Sequence, residues 1–256
     1  MASSFGISAI QNPSQLTQPS EEWIYSVAFN PDGSILASIS ADGLILWDIS
    51  DLRNPSQITL TRAGEHSIQQ VESAASSHGG YDLAFVSEDG NFELWRFRLR
   101  ENSQPLEISS TIRIRIQTLV QTEPGPGHSD SVESVAFNHD GSILASASDD
   151  HTIILWDLSD PQNPTRLALP LTEHRADVAS VAFNHDGSIL ASGSVDGTII
   201  LWDFNNPQDP TRLAPPLTEH SRGVASVAFN HDGSILASGS WDSTIIPMGS
   251  IIQTES

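Results

Sequence analysis

Two residue types are missing from this 256-residue sequence, Lys and Cys, and each absence closes off a body of chemistry. Without Lys there is no ammonium for the phosphates of a Walker A loop, no amine for a Schiff base and no partner for a Ser/Lys dyad. Without Cys there are no disulfides, no thiolate nucleophiles and no Cys-based zinc sites. Positive charge is scarce too: all 11 basic residues are Arg, against 32 acidic ones, for a net charge of -21. Nucleic acid is therefore not an expected partner, because binding it needs clustered positive charge to displace counterions. The same charge opposes anionic lipid surfaces, and no apolar run approaches the roughly 20 residues that span a bilayer. Met1 to Gln15 lacks the basic stretch and apolar run of a secretory signal, and no Asn-x-Ser/Thr sequon free of Pro occurs. A cytoplasmic location is the expectation.

What the sequence does have is repetition. Ser134 to Ser146 (SVAFNHDGSILAS) recurs unchanged at Ser180 to Ser192 and at Ser226 to Ser238, a period of 46 residues. A fourth copy at Ser26 to Ser38 differs only in Pro31, where the others carry His139, His185 and His231. A degenerate fifth copy runs from about Glu65 to Trp95. One domain over 1–256 is expected, with repeats at about 21–63, 64–126 (carrying an insertion at 96–126), 127–171, 172–217 and 218–256.

Each unit reads as short strands joined by tight turns. Ser134-Val135-Ala136-Phe137 alternates large and small residues as a two-faced strand does, and Asn138-His139-Asp140-Gly141 supplies a turn. Ile143 to Ser146 is a second strand, Asp149-Asp150-His151 a second turn, and Thr152 to Trp156 a third strand rich in β-branched residues. A Pro/Asn/Asp loop leads to a fourth strand near Thr165 to Leu171. Four antiparallel strands per repeat cannot bury both faces alone, so the units must pack on one another as propeller blades do.

With Gly127-His128 before the first strand, Asp150 in the second turn, and Trp47-Asp48, Trp156-Asp157 and Trp202-Asp203 ending third strands, the chain resembles the WD40 repeat family. The resemblance implies an all-β propeller of about five blades. It also implies a hydrogen-bonded His, Ser, Asp and Trp in each blade, chemically apt because a buried indole N–H and an imidazole must both find partners. Carried over position by position, the complete tetrads are His128, Ser146, Asp150, Trp156 and His174, Ser192, Asp196, Trp202, with Ser148 an alternative to Ser146. Partial tetrads hold Ser38, Asp42 and Trp47, with Ser20 in the His position; His66, Asp89 and Trp95, with Phe85 in the Ser position; and His220, Ser238 and Asp242. In the last, Pro247-Met248-Gly249 replaces the Leu-Trp-Asp ending and reads as a truncation rather than a designed strand.

A His/Ser/Asp group invites comparison with a hydrolase triad. A triad is a single site with an exposed nucleophile, whereas this trio recurs with a Trp attached, so it reads as structural cement and no catalytic residue is expected. The turn histidines His139, His185 and His231 sit beside Asp140, Asp186 and Asp232. Adjacent blades are expected to hold these turns too far apart for one ion with bonds of about 2 Å, so neither a metal site nor a cofactor is expected.

Near-identical copies make their differences informative. These concentrate before the first strand (Trp23, Tyr25, Arg175, Arg222) and just before the second turn's Asp (Asp149, Trp241), two places at the same end of an antiparallel blade. Aromatic and Arg residues there are the types that anchor interfaces, so this rim is the candidate site for a protein partner, with neutral drift as the alternative. Residues 96–126 hold five of the eleven Arg, in the alternating runs Arg96 to Arg100 and Ile112 to Ile116. These suggest a long outer hairpin that protects a sheet edge or docks an acidic partner.

Residues 7–16 match residues 49–58 at six of ten positions, so residues 1–20 read as the fourth strand of a preceding or split blade. Paired with the three-stranded C-terminal unit, that strand would close a five-bladed, monomeric ring. The rival is an open part of a larger propeller that self-associates. The functional expectation is a non-catalytic scaffold for proteins. The long near-identical repeats also resemble those of bacterial WD40 proteins, which implies a partial or detached sensor of a signalling ATPase as the alternative, and a propeller enzyme as a weaker one.

Overall fold

A computed structural model describes residues 24–29, 34–40, 43–51, 55–62, 71–76, 81–87, 92–99, 108–116, 127–160 and 164–249, and every element in it is a strand or turn. The first blade comprises β1 (Ile24–Phe29), β2 (Ile35–Ser40), β3 (Gly43–Asp48) and β4 (Ser56–Arg62). The second has β5 (Val71–Ser76), β6 (Tyr81–Ser87), β7 (Phe92–Leu99) and β8 (Ile108–Ile116). The third has β9 (Val132–Phe137), β10 (Ile143–Ser148), β11 (Ile153–Asp157) and β12 (Thr165–Arg166). The fourth has β13 (Val178–Phe183), β14 (Ile189–Ser194), β15 (Ile199–Asp203) and β16 (Thr211–Arg212); the fifth has β17 (Val224–Phe229), β18 (Ile235–Ser240) and β19 (Ile245–Gly249). Each blade is an antiparallel meander in chain order.

The turns explain the meander. At the first, Gly141 adopts φ 74° and donates its N–H to the Asn138 carbonyl, while the Asn138 side chain accepts the Ile143 N–H at 2.9 Å. A left-handed residue there favours Gly, which explains the recurring Asn-x-Asp-Gly. At the second turn the left-handed position is Gly197 in the fourth blade but His151 (φ 67°) and Ser243 (φ 70°) in the third and fifth. The first strands bulge where they meet this turn, between Val132 and Ser134 opposite Ala147 and Ser148 in the third blade, and between Ile24 and Ser26, Val178 and Ser180, and Val224 and Ser226 in the first, fourth and fifth.

Two expectations about outer strands need correction. The fourth strands of the third and fourth blades are not continuous: β12 and β16 are two residues long, and pairing resumes only at the bridges Ile153 to Leu171 and Ile199 to Leu217. Pro170, and Pro215 with Pro216, interrupt them, since Pro cannot donate to the ladder. Conversely, the chain does run through Pro247 as a strand, with Pro247 opposite Ala237. In the third blade the equivalent Leu155 turns its carbonyl outward, accepting the Leu167 N–H, so an N–H at that position also faces outward. Pro247 therefore lacks its N–H on the free edge of β19, where the loss costs nothing in the β18 ladder. Residues 1–20, read as a fourth strand, lie outside the described residues.

The core lies between blades. One cluster joins Ala136, Ile143, Ala145, Ala147, Ile153 and Leu155 to Val178, Val181, Leu190, Ile200 and Trp202. The next joins Ile189, Ala191, Ile199 and Leu201 to Val224, Val227 and Leu236. Hydrogen bonds cross these interfaces too: Ser134 Oγ accepts the Val181 N–H at 3.2 Å and Ser180 Oγ accepts the Val227 N–H at 3.1 Å. Inner strands neighbour one another in the order β1, β5, β9, β13, β17. Among the described residues β17 and β1 do not pack together in this way, and the strand expected to close the ring, residues 1–20, lies outside the described residues.

In the second blade, register places Arg113 opposite Trp95 and Arg115 opposite Glu93, but Arg96 opposite Ile112 and Arg98 opposite Ser110. The hairpin of β7 and β8 exists as expected. β8 is the outermost strand of its sheet.

Candidate functional site

In the third blade the Trp156 indole N–H donates to Ser146 Oγ at 2.8 Å, and His128 Nε2 lies 2.8 Å from the same oxygen. His128 Nδ1 lies 3.0 Å from Asp150 Oδ2. With the Ser hydroxyl accepting from the indole, its proton goes to Nε2, and Nδ1–H goes to the carboxylate; every donor then has an acceptor. The structure brings His174, Ser192, Asp196 and Trp202 together in the same way, at 2.8 Å, 3.0 Å and 3.3 Å. The serine is Ser146, not Ser148, whose hydroxyl instead donates to the Asp130 carbonyl and accepts the Asp150 N–H.

The partial sets are shorter chains of the same kind. Trp47 donates to Ser38 Oγ at 2.8 Å. His220 joins Ser238 at 2.8 Å and Asp242 at 3.1 Å, and Met248, in the Trp position, packs against the neighbouring core without a donor. Asp42, His66 and Asp89 lie outside the described residues, and Trp95 is placed only as a member of β7.

Sequence reasoning missed a fifth member. Thr152, Thr198 and Thr244 each donate a hydroxyl to Oδ1 of the tetrad Asp, and each lies within 3.4 Å of the imidazole Nδ1. The signal was present, since a Thr follows the Asp by two residues in three repeats. Burial alone would raise the Asp150 carboxyl, but the His128 imidazole and the bonds from Thr152 and Ser129 overcome it and hold the group far below the ordinary carboxylate range. Asp196 is lowered in the same contest between burial and hydrogen bonds from Thr198 and the Arg175 N–H. Burial pushes His174 down, favouring its neutral form. Ser146 is fully buried and engaged by the indole, so its hydroxyl is not an exposed nucleophile.

At the opposite end of the blades, the turn histidines call for a correction. Their turns are not widely separated: the ring centroids of His139 and His185 lie 5.2 Å apart, and those of His185 and His231 lie 5.1 Å apart. The exposed imidazoles are in contact there, edge-on between His139 and His185 and tilted between His185 and His231. Among the described residues, no group of three or more His, Asp or Glu side chains converges on a point that could hold a metal.

The candidate rim is built by the tetrads. The Asp that holds the imidazole also accepts the N–H of the next residue: Ser129 for Asp150, Arg175 for Asp196 and Ser221 for Asp242, at 2.9 to 3.0 Å. Backbone bonds then join the two variable segments, from Asp149 to Ser131, Val195 to Asp177 and Trp241 to Gly223. Fixed backbones thus present side chains that differ from blade to blade. In the third blade the rim is acidic, and burial together with Asp177 and Asp130 raises the Asp149 carboxyl. In the fifth, the Trp241 indole lies over Gly223, where an added Cβ would meet Cε3 at 2.8 Å, and Arg222 Nη1 donates to the Trp241 carbonyl at 3.3 Å. Trp241 remains 54% exposed. Arg175 is exposed, Trp23 lies outside the described residues, and Tyr25 is placed only as part of β1.

The family model described as WD domain, G-beta repeat, matches residues 12–48, 117–157, 166–203 and 212–246. The chain belongs to the WD40 repeat family. The matched segments stop at the third strand of a blade and skip the degenerate second blade. Among curated proteins, the chain is 29% identical over 150 residues to the WD repeat-containing protein WDS homolog of Arabidopsis thaliana, covering 56% of this chain and 24% of that protein. It is 30% identical over 167 residues to a chromatin assembly factor 1 subunit of Gallus gallus, covering 61% and 28%. It is 29% identical over 168 residues to the WD repeat-containing protein SL1-17 of Schistosoma mansoni, covering 57% and 53%. The matched region thus spans from about a quarter to about half the length of these relatives.

Proposed function

We propose that this WD40 chain is a non-catalytic scaffold that binds a protein partner through the rim carrying Asp149, Arg175, Arg222 and Trp241. The observation that carries this reading is Trp241: a large aromatic residue left exposed, yet seated on Gly223 and flanked by Arg222. An ordered aromatic surface loses little entropy on binding and suits the centre of an interface. The same rim is acidic in the third blade and basic at Arg175 and Arg222, which favours a partner of mixed charge over a polyanion. The scaffold is proposed to act in the cytoplasm. A finer reading, as the sensor propeller of a bacterial signalling ATPase, is supported by the near-identical 46-residue repeats.

The test compares proteins retained on the immobilised chain with those retained on the W241A/R222A double variant. Both residues are exposed, so the fold is expected to persist. Specific partners should bind the variant at least about tenfold more weakly, in line with the loss of two anchor residues. A partner held equally well by both places its binding elsewhere.

A further inference from the structure

The first and fifth blades carry the two halves of one interface. Wherever a blade is followed by another, its trailing face is buried: Ile143 and Ile189 are 8% and 6% exposed, and Ile153 and Ile199 are 0% and 2%. In the fifth blade the equivalent Ile235 and Ile245 are 41% and 77% exposed. The leading face behaves as the mirror case. Val132, Val178 and Val224, with Val135, Val181 and Val227, are all buried against or toward a preceding blade, whereas the equivalent Ile24 and Val27 of the first blade are half exposed, as is Phe29. Glycine positions show the fit. A Cβ on Gly193 of the fourth blade would meet Val224 Cγ1 at 2.7 Å and Val227 Cγ1 at 3.0 Å, while Gly239, its equivalent in the fifth blade, has nothing within 4 Å.

We propose that a second copy of this chain covers the trailing face of the fifth blade with the leading face of its own first blade, extending the row of blades head to tail. The contact continues an interface already formed inside the molecule. Of the residues the fifth blade offers, Ser226, Ala228, Ile235, Ala237, Gly239 and Ile245 repeat Ser180, Ala182, Ile189, Ala191, Gly193 and Ile199 of the fourth, and Pro247 stands in place of Leu201. Those received from the first blade are Ile24, one methylene larger than the equivalent Val224, and Val27, identical to Val227. Ser226 Oγ then takes the Val27 N–H of the second copy, as Ser180 Oγ takes that of Val227. Because the two faces differ, the contact is heterologous: each assembly keeps one free face of each kind and grows with concentration. The net charge of -21 opposes it, so added salt strengthens it.

The absence of cysteine makes a direct test possible. Two single variants are prepared, Val27→Cys and Ser226→Cys, each close in size to the residue it replaces and clear of the tight approach at Gly239, since Ser180 Oγ lies 3.1 Å from Val227 N in the interface they copy. After mild oxidation the mixture should give a disulfide-linked dimer on a non-reducing gel, and neither variant alone should, because identical faces do not meet. Light scattering of the wild-type chain should show a mass above 27.6 kDa that rises with concentration and with salt. A wild-type mass fixed at 27.6 kDa overturns the proposal. So does cross-linking of either variant with itself at a yield matching the mixture, which marks a symmetric dimer. Association of the wild-type chain without cross-linking in the mixture likewise rejects this interface.

Discussion

Ser146 is the residue on which a blade's polar network turns, because one hydroxyl serves both the Trp156 indole and the His128 imidazole inside a region that is wholly buried. Replacing it with Ala leaves two buried groups unpartnered at once, and each unsatisfied group costs about 1–3 kcal/mol. S146A is therefore expected to lose about 2–4 kcal/mol in urea unfolding followed by Trp fluorescence. A loss under about 0.5 kcal/mol would mean that water or the Ile154 carbonyl, 3.4 Å from the hydroxyl, replaces the serine at little cost. A second residue-scale prediction has the opposite sign. Ser243 holds φ 70°, where Gly197 stands in the preceding blade. A left-handed non-Gly residue costs roughly 1 kcal/mol, partly offset by the greater unfolded-state entropy of Gly. S243G is expected to raise stability by about 0.5 kcal/mol, read as a higher urea midpoint with an unchanged slope.

At the scale of elements, the strands and turns of each blade were legible because each is a local consequence of alternation and turn chemistry, and the exact 46-residue period multiplies the signal. The tetrads were legible for the same reason, except for the choice between Ser146 and Ser148, which only the strand register decides. What escaped depends on contacts across blades. The contact of His139, His185 and His231 is made between blades, and nothing in a single repeat encodes it. The route of β19 through Pro247 depends on which edge of that strand is free. The interblade fit is testable at Gly193 and Gly239, which occupy equivalent positions. G193A forces the Val224 and Val227 methyls aside, and overpacking of this size costs about 1 kcal/mol, tempered because Ala147 is accommodated at the same place in the third blade. G239A, with open space around it, is expected to leave the unfolding midpoint of the isolated chain unchanged to within about 0.3 kcal/mol. Equal effects of the two substitutions would count against the open fifth face.

For the whole molecule, the repeated networks set how stability responds to acid. His174 is held neutral by burial, its folded-state affinity for a proton lying below that of an exposed imidazole at about 6.5. Below that pH the unfolded chain binds a proton that the folded chain refuses, so the folded state loses ground as pH falls from 7 toward 5. The carboxyls act next and in the same direction. Asp150, Asp196 and Asp242 are all lowered, so their contribution is complete above the ordinary carboxylate range and is lost as pH falls below it toward their folded values. Self-repulsion works against this trend, because a chain with a charge of -21 and an isoelectric point near 4.4 sheds net charge as it is acidified. Salt separates the two effects, since it screens the spread-out surface charge while leaving the buried pairs little affected. At about 0.5 M salt, where the Debye length is only a few ångströms, the thermal midpoint is expected to fall steadily from pH 7 to pH 5 and more steeply below pH 4. At low salt the same fall should be shallower. A midpoint that rises on acidification in high salt would show that surface repulsion, and not the His and Asp of the blade networks, governs the acid response of this propeller.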